Sequence, residues 1–189
     1  FTGNMPIVVD AQQVLLHELI ISYLTEFAII AVVIMLAVRS VRAGLVAMVP
    51  NLFPTVVLFG TMGWLNRPLD IGAMMTASVA LGIAVDDTLH LLLWYRRELR
   101  AAKTARAAVT SALRHCGRAM THTTLICGCG MLVFTLSDFE PTRQFALMMF
   151  LLLAAALVGD LFFLPALLIG PCRNIFRSGI AARRGQIAE

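Results

Sequence analysis

The chain has 189 residues and a formal net charge of +4, with 59% of its residues apolar and only 14% charged. Soluble domains carry about 25% charged residues, so composition excludes an ordinary soluble domain, and the mean hydropathy of +0.85 points to helices in lipid. The positive charge does not describe a nucleic-acid surface either, because Lys and Arg sit in short segments between apolar runs, a topology signal.

Residues 1–18 are read as the end of an extracytoplasmic region, with IVVDAQQVLLHELI able to form an interfacial helix. No signal peptide opens the chain and no Met precedes Phe1, so it is expected to be a piece of a longer protein. The first membrane span is expected over residues 19–38 and the second over 44–65. Pro50 and Pro54 fall inside the second and predict a kink, with neighbouring helices satisfying the freed carbonyls. The third span covers residues 71–94.

Between Arg96 and Arg118 lies a basic segment in which Leu99, Ala102, Val109, Ala112 and Leu113 form a thin apolar stripe, so an amphipathic helix on the cytoplasmic membrane surface is expected. The fourth span, residues 119–136, opens on small and hydroxylated residues that permit close helix approach. The fifth covers residues 145–169, and 171–189 form a basic tail. The fold class is therefore an all-α membrane protein, a five-helix bundle over residues 19–170.

Arg39, Arg42, the seven Lys and Arg from Arg96 to Arg118, and Arg173, Arg177, Arg183 and Arg184 fall on one side of the membrane; Arg67 and Arg143 fall on the other. The positive-inside rule puts the larger group in the cytoplasm, the N-terminus outside and the C-terminus in the cytoplasm. Of the four cysteines, Cys127 and Cys129 flank Gly128 in an apolar run and Cys116 and Cys172 stand apart. They read as small packing residues rather than a metal or disulfide framework.

GIAVDDTLH, residues 82–90, sets two adjacent carboxylates and a histidine inside the third span. Each ionised Asp near mid-helix costs about 2.5–3.5 kcal/mol on an insertion scale, so the pair needs partners or protons. Burial and mutual repulsion both oppose ionising the two together, which leaves at least one poised to exchange a proton. Neighbours on a helix point about 100° apart, whereas Gly82, Asp86 and His90 are spaced four residues apart and share a face. The plainer alternative is that the charges ion-pair within the bundle or mark a wet helix end, and it weighs most for Asp87 and His90.

GIAVDDTLHLLLWYRREL resembles the G-x-x-x-D-D segment in the fourth or tenth transmembrane helix of the resistance-nodulation-division superfamily, above all its MMPL and Patched-like branch. VRAGLVAMVPNLFPTVVLFGTMGWLNRPLD is similar to the preceding helix and turn, GRAMTHTTLICGCGMLVFTLSDFEPTRQFA to the following one, and GDLFFLPALL to the closing helix; together they cover roughly residues 3–170 in family order. The resemblance implies two similar halves, each with a large extracytoplasmic domain, and proton-driven outward movement of hydrophobic molecules through the bacterial inner membrane. This chain would supply the last five helices of the C-terminal half, with Asp86 and Asp87 as the proton relay and Gly82 allowing close packing between halves. The implied partners are the lipid bilayer, the N-terminal half and a lipid-like substrate, in a monomer or an oligomer; neither nucleic acid nor a cofactor or metal is expected.

The chain departs from the pattern at His122, where such proteins more often carry Ser or Thr. His122 either extends a proton path with Thr121, Thr123 and Thr124 or bonds within the fourth span. Asp160, deep in the fifth span, meets the same energetic argument as Asp86 and reads either as a functional carboxyl or as a structural anchor, with His122 and Thr124 as the partners nearest in depth. Glu26, in the outer part of the first span, where a water-filled vestibule or an ion pair could satisfy it, reads as a boundary residue, and Asp138, Glu140 and Arg143 as a solvated cluster outside. Three other functions remain open. A Sec-type export subunit carries a similar G-x-x-V-D stretch but continues D-A-N. An intramembrane aspartyl protease needs carboxylates facing each other from different helices and a G-x-G-D sequence that is missing here. A sterol-sensing module that does not transport would have no need of a titrating pair.

Overall fold

The computed structural model describes residues 5–66, 71–101 and 104–170. The basic tail with Cys172, and Arg67, Ala102 and Lys103, lie outside the described residues. Among those described the chain is helical with no strand, and five continuous rods are long and apolar enough to cross a membrane: Ala11–Val38, Val41–Trp64, Gly72–Arg100, Ala105–Leu136 and Glu140–Ile169. The expected all-α five-helix bundle is what forms.

Helix α1 (Met5–Val38) runs unbroken, so the approach segment and first span are one helix. From Ile7 onward it contains neither Gly nor Pro, and nothing in the sequence would interrupt it. Leu16, Leu19, Tyr23, Phe27, Ile30, Ile34 and Val38 recur every three or four residues and make its packing edge. The turn that follows is two residues long. Arg39 takes a left-handed conformation (φ 52°) and Ser40 caps α2 (Val41–Trp64) by accepting from the Ala43 amide at 3.4 Å. So tight a turn needs Gly44: a Cβ there would stand 2.5 Å from Met35 Cγ and 2.8 Å from Met35 Cα.

Within α2, Pro50 has no N–H for the Val46 carbonyl and Pro54 has none for the Pro50 carbonyl. The turn between the prolines holds a buried Asn51, and the Pro50 carbonyl lies against Gly159 of the fifth rod. Helix α3 (Ile71–Arg100) packs on α1 and on α6 (Glu140–Val158), and α6 also contacts α2 and α5 (Arg118–Leu132). Helices α3 and α6 thus form the centre, while the first and fourth rods keep broad apolar faces exposed at residues such as Leu24, Leu36, Leu125 and Ile126.

The basic segment departs from expectation. Its first residues extend α3 to Arg100; Thr104 then caps α4 (Ala105–Ala112), which passes through a π-helical turn (Leu113–Gly117) into α5 and a closing 3₁₀ turn (Val133–Leu136). The amphipathic helix exists, but it continues into the fourth rod. Its apolar face, Ala105, Ala108, Val109 and Ala112, is buried where α4 packs on α3 and α7 (Leu164–Ile169) rather than presented to a lipid surface. Alanines at these positions let the helices approach closely, and no helix breaker precedes Gly117. The fifth rod is similarly composite: α6 and α7 are joined by a π-helical turn, Gly159–Phe163.

Arg96, counted from sequence among the loop charges, is buried. Its guanidinium donates through Nη1 to the Ala37 carbonyl at 2.5 Å, where α1 runs out of helical donors for its last carbonyls.

Candidate functional site

Met75, Val79, Gly82, Asp86, His90, Leu93 and Arg97 are exposed along one side of α3. They recur at steps of three and four, the spacing of a helix-packing seam, yet among the described residues no helix covers them. The shared face expected for Gly82, Asp86 and His90 is present and lies in the middle of that seam. His90 Nε2 stands 3.7 Å from Asp86 Oδ1, and the two side chains are 69% and 75% exposed. At that separation the contact is too long for a hydrogen bond, and other groups can still enter it.

Glu26 belongs to the same region. A Cβ on Gly82 would lie 3.8 Å from Glu26 Oε1, and Glu26 lines a shallow cleft between α1 and α3 with Ser22, Thr25 and Gly82. Gly82 is one helical turn from Asp86, so Glu26 sits close to the middle of the third span instead of marking the boundary of the first. The 3.8 Å separation is ordinary contact, so among the described residues nothing forces glycine at position 82.

Asp87 turns about 100° from Asp86 and is half-buried, within electrostatic reach of Asp86, His90, Asp160 and Cys116. One residue on, Thr88 is wholly buried. Its Oγ1 lies 2.6 Å from Asp160 Oδ1, 3.0 Å from Asn51 Oδ1 and 3.2 Å from the Ala84 carbonyl. Asp160 is only 2% exposed and sits in the π-helical turn of the fifth rod; Asn51, also 2% exposed, comes from the double-proline turn of α2. Three rods therefore meet on one hydroxyl.

Asp160 does not meet the partners expected from depth in the span, His122 and Thr124. His122 is exposed on a shallow cleft beside Leu161 and Gly117, Thr124 is half-buried on α5, and neither bonds to Asp160. Thr88 and Asn51 were missed because they lie 72 and 109 positions from Asp160 in the chain. The available signal was an amide inside a proline-bearing apolar run. Nearer the end of α3, the Trp94 ring stacks on His115 with centroids 3.7 Å apart, and the Arg97 guanidinium lies 5.0 Å from the Trp94 ring centre. Cys116 donates to the His90 carbonyl at 3.8 Å, which joins the π-helical turn at Leu113–Gly117 to the same stretch of α3. At the opposite end of the bundle Glu140 pairs with Arg143 and accepts from Gln144 Nε2 at 3.0 Å, beside a groove lined by Leu58, Met62 and Leu147.

Carboxylates and a histidine on an exposed helical face, backed by a buried carboxyl, thus stand in the middle of a chain with five helices long and apolar enough to cross a membrane. The model of the MMPL family matches residues 1–184. The chain belongs to the MMPL family. A curated relative, the membrane protein MJ1562 of Methanocaldococcus jannaschii, is 27% identical over 156 residues. That alignment covers 82% of this chain and 40% of the relative, so this MMPL chain spans well under half the length of the protein it matches.

Proposed function

We propose that this MMPL chain is the C-terminal membrane half of a proton-driven exporter of lipid-like or other hydrophobic molecules, working in the bacterial inner membrane with its C-terminus in the cytoplasm. The observation that carries the reading is the exposed seam on α3. Asp86, His90 and Gly82 stand at mid-span with none of the described residues over them, and an ionised Asp facing hydrocarbon would cost about 2.5–3.5 kcal/mol. A second bundle on that face would remove the cost and leave the carboxylates in a polar seam between two bodies.

Asp86 and Asp87 then have separate duties. Asp86 looks across the seam and exchanges protons along it, with His90 as a local partner and Glu26 at the neighbouring turn. Asp87 looks inward and passes the change in charge to the buried residues behind it. Protonation alters which contacts across the seam are favourable, so each proton crossing biases the two halves to rock against each other. A potential of 100 mV contributes about 2.3 kcal/mol per proton to that cycle. The extracytoplasmic parts that select the molecule belong to the rest of the transporter.

The test uses the complete transporter in liposomes under an imposed pH gradient, with a fluorescent phospholipid analogue as the transported probe. Asp86→Asn and Asp87→Asn are each expected to cut gradient-driven movement by at least tenfold while leaving the amount of inserted protein unchanged. Gradient-driven movement at the wild-type rate in both variants would overturn the assignment.

A further inference from the structure

The buried residues behind the seam have a property that the seam reading does not need. Thr88 carries one hydroxyl hydrogen and has three acceptor oxygens within 3.2 Å, on the side chains of Asp160 and Asn51 and on its own helix at Ala84. It can satisfy only one of them at a time. The groups facing Asp160 are Thr88 and the electrostatically coupled Asp87 from α3, and Asn51 of α2 through Thr88; among the described residues no cationic side chain bonds to Asp160.

We infer that Asp160 is a second proton-holding residue of the transporter and that Thr88 is its positioning partner, donating its hydroxyl hydrogen to Asp160 when the carboxylate is ionised, and accepting from Asp160 while donating to Asn51 when Asp160 carries a proton. The inference rests on the exporter reading for its purpose, and on the geometry of Asn51, Thr88 and Asp160 for its content. In the ionised state the Thr88 hydroxyl donates to Asp160 Oδ1, and α3 is tied to the fifth rod. When a proton arrives on the carboxyl, the new Asp160 O–H becomes the donor and Thr88 Oγ1 the acceptor. The Thr88 hydrogen is then free to turn to Asn51 Oδ1, which ties α3 to α2. No covalent bond changes except at the carboxyl, and the proton leaves by the reverse sequence.

Two features of the backbone fit this role. Asp160 lies in a π-helical turn, where the wider helix leaves carbonyl groups out of the regular ladder, and such turns recur at functional sites. Across from it, the Pro50 carbonyl, which Pro54 cannot serve as a donor, lies within 3.2 Å of where a Cβ on Gly159 would stand. Both helices therefore meet Thr88 where their regular backbone hydrogen-bond ladder is interrupted. Asp87 is the other carboxylate within electrostatic reach of Asp160, and two such groups in a low dielectric do not readily ionise together.

The experiment is infrared difference spectroscopy on the complete transporter in liposomes, acid minus alkaline, read in the protonated-carboxyl C=O region. Wild type should show a band that is lost in Asp160→Asn and kept in Asp86→Asn. Thr88→Val should displace that band to higher wavenumber through loss of its hydrogen bond, and Thr88→Ser should return it to the wild-type position. A spectrum unchanged by Asp160→Asn, or a band that Thr88→Val does not move, would overturn the inference. The Thr88 pair decides the matter even if Asp160→Asn fails to fold. Because the spectrum reads a proton on a carboxyl and not transport, wild-type transport by Asp86→Asn and Asp87→Asn bears only on the relay reading, and an unmoved band bears only on this one.

Discussion

Asp86, Asp87 and Thr88 are consecutive, yet they face three environments: an exposed seam, a half-buried flank and a closed interior. A step of about 100° per residue is enough to produce this. For Thr88 the consequence is energetic. Thr88→Val keeps the shape of the side chain but removes the hydroxyl shared by the buried Asp160 carboxyl and the Asn51 amide oxygen, a loss of about 1–3 kcal/mol. Thermal unfolding of the complete protein in detergent should show a clearly lower Tm for Thr88→Val and a near-native one for Thr88→Ser. Arg96 makes a parallel case at the end of α3. Arg96→Leu removes a charged donor from the Ala37 carbonyl and should cost about 1.5–3 kcal/mol, whereas Arg100→Leu, on an exposed side chain, should change the Tm little.

Among the helices, the close approach of α1 and α2 depends on a single missing Cβ. Gly44→Ala would put a methyl carbon 2.8 Å from the Met35 backbone, so the turn at Arg39 and Ser40 must open; overpacking of this kind costs about 1–3 kcal/mol. Gly60, also in α2, has nothing within 4 Å of a Cβ, and Gly60→Ala should be neutral or stabilise by up to about 1 kcal/mol through helix propensity. Comparing the unfolding of the two variants checks both signs. Hydropathy located the rods because five apolar runs separated by short breaks leave few other solutions. It did not place the start of the fourth rod, since the same small-residue stripe at Val109 and Ala112 serves a helix lying on lipid or one packed on α3. Periodicity reports an apolar face and not what covers it. The two π-helical turns have no mark in the sequence, because each inserts into an otherwise continuous helical pattern.

Across the whole molecule, the arrangement of polar groups divides into what one helix can encode and what needs three. The shared face of Gly82, Asp86 and His90 follows from spacing alone and could be read in advance. The meeting of Asn51, Thr88 and Asp160 depends on how α2, α3 and the fifth rod pack, and depth in the span pointed wrongly to His122. Glu26 was misplaced for the same reason, since its position beside Gly82 is set by how α1 lies along α3. A further prediction belongs to this scale: Asp86→Leu should ease insertion of the third span by about 2.5–3.5 kcal/mol while abolishing gradient-driven transport by the complete protein. An insertion assay set beside the transport assay would show the two effects moving in opposite directions.

The central claim is that the exposed side of α3 is a seam closed by the rest of the transporter and not a surface open to lipid. Nitroxide labels at Val79→Cys and Ile126→Cys, placed in the complete protein after its native cysteines have been replaced, test this through relaxation by oxygen dissolved in the bilayer. The Val79 label should be shielded and the Ile126 label strongly relaxed. Equal and strong relaxation of both labels would mean that Asp86 faces hydrocarbon with no second bundle over it, and would contradict the account.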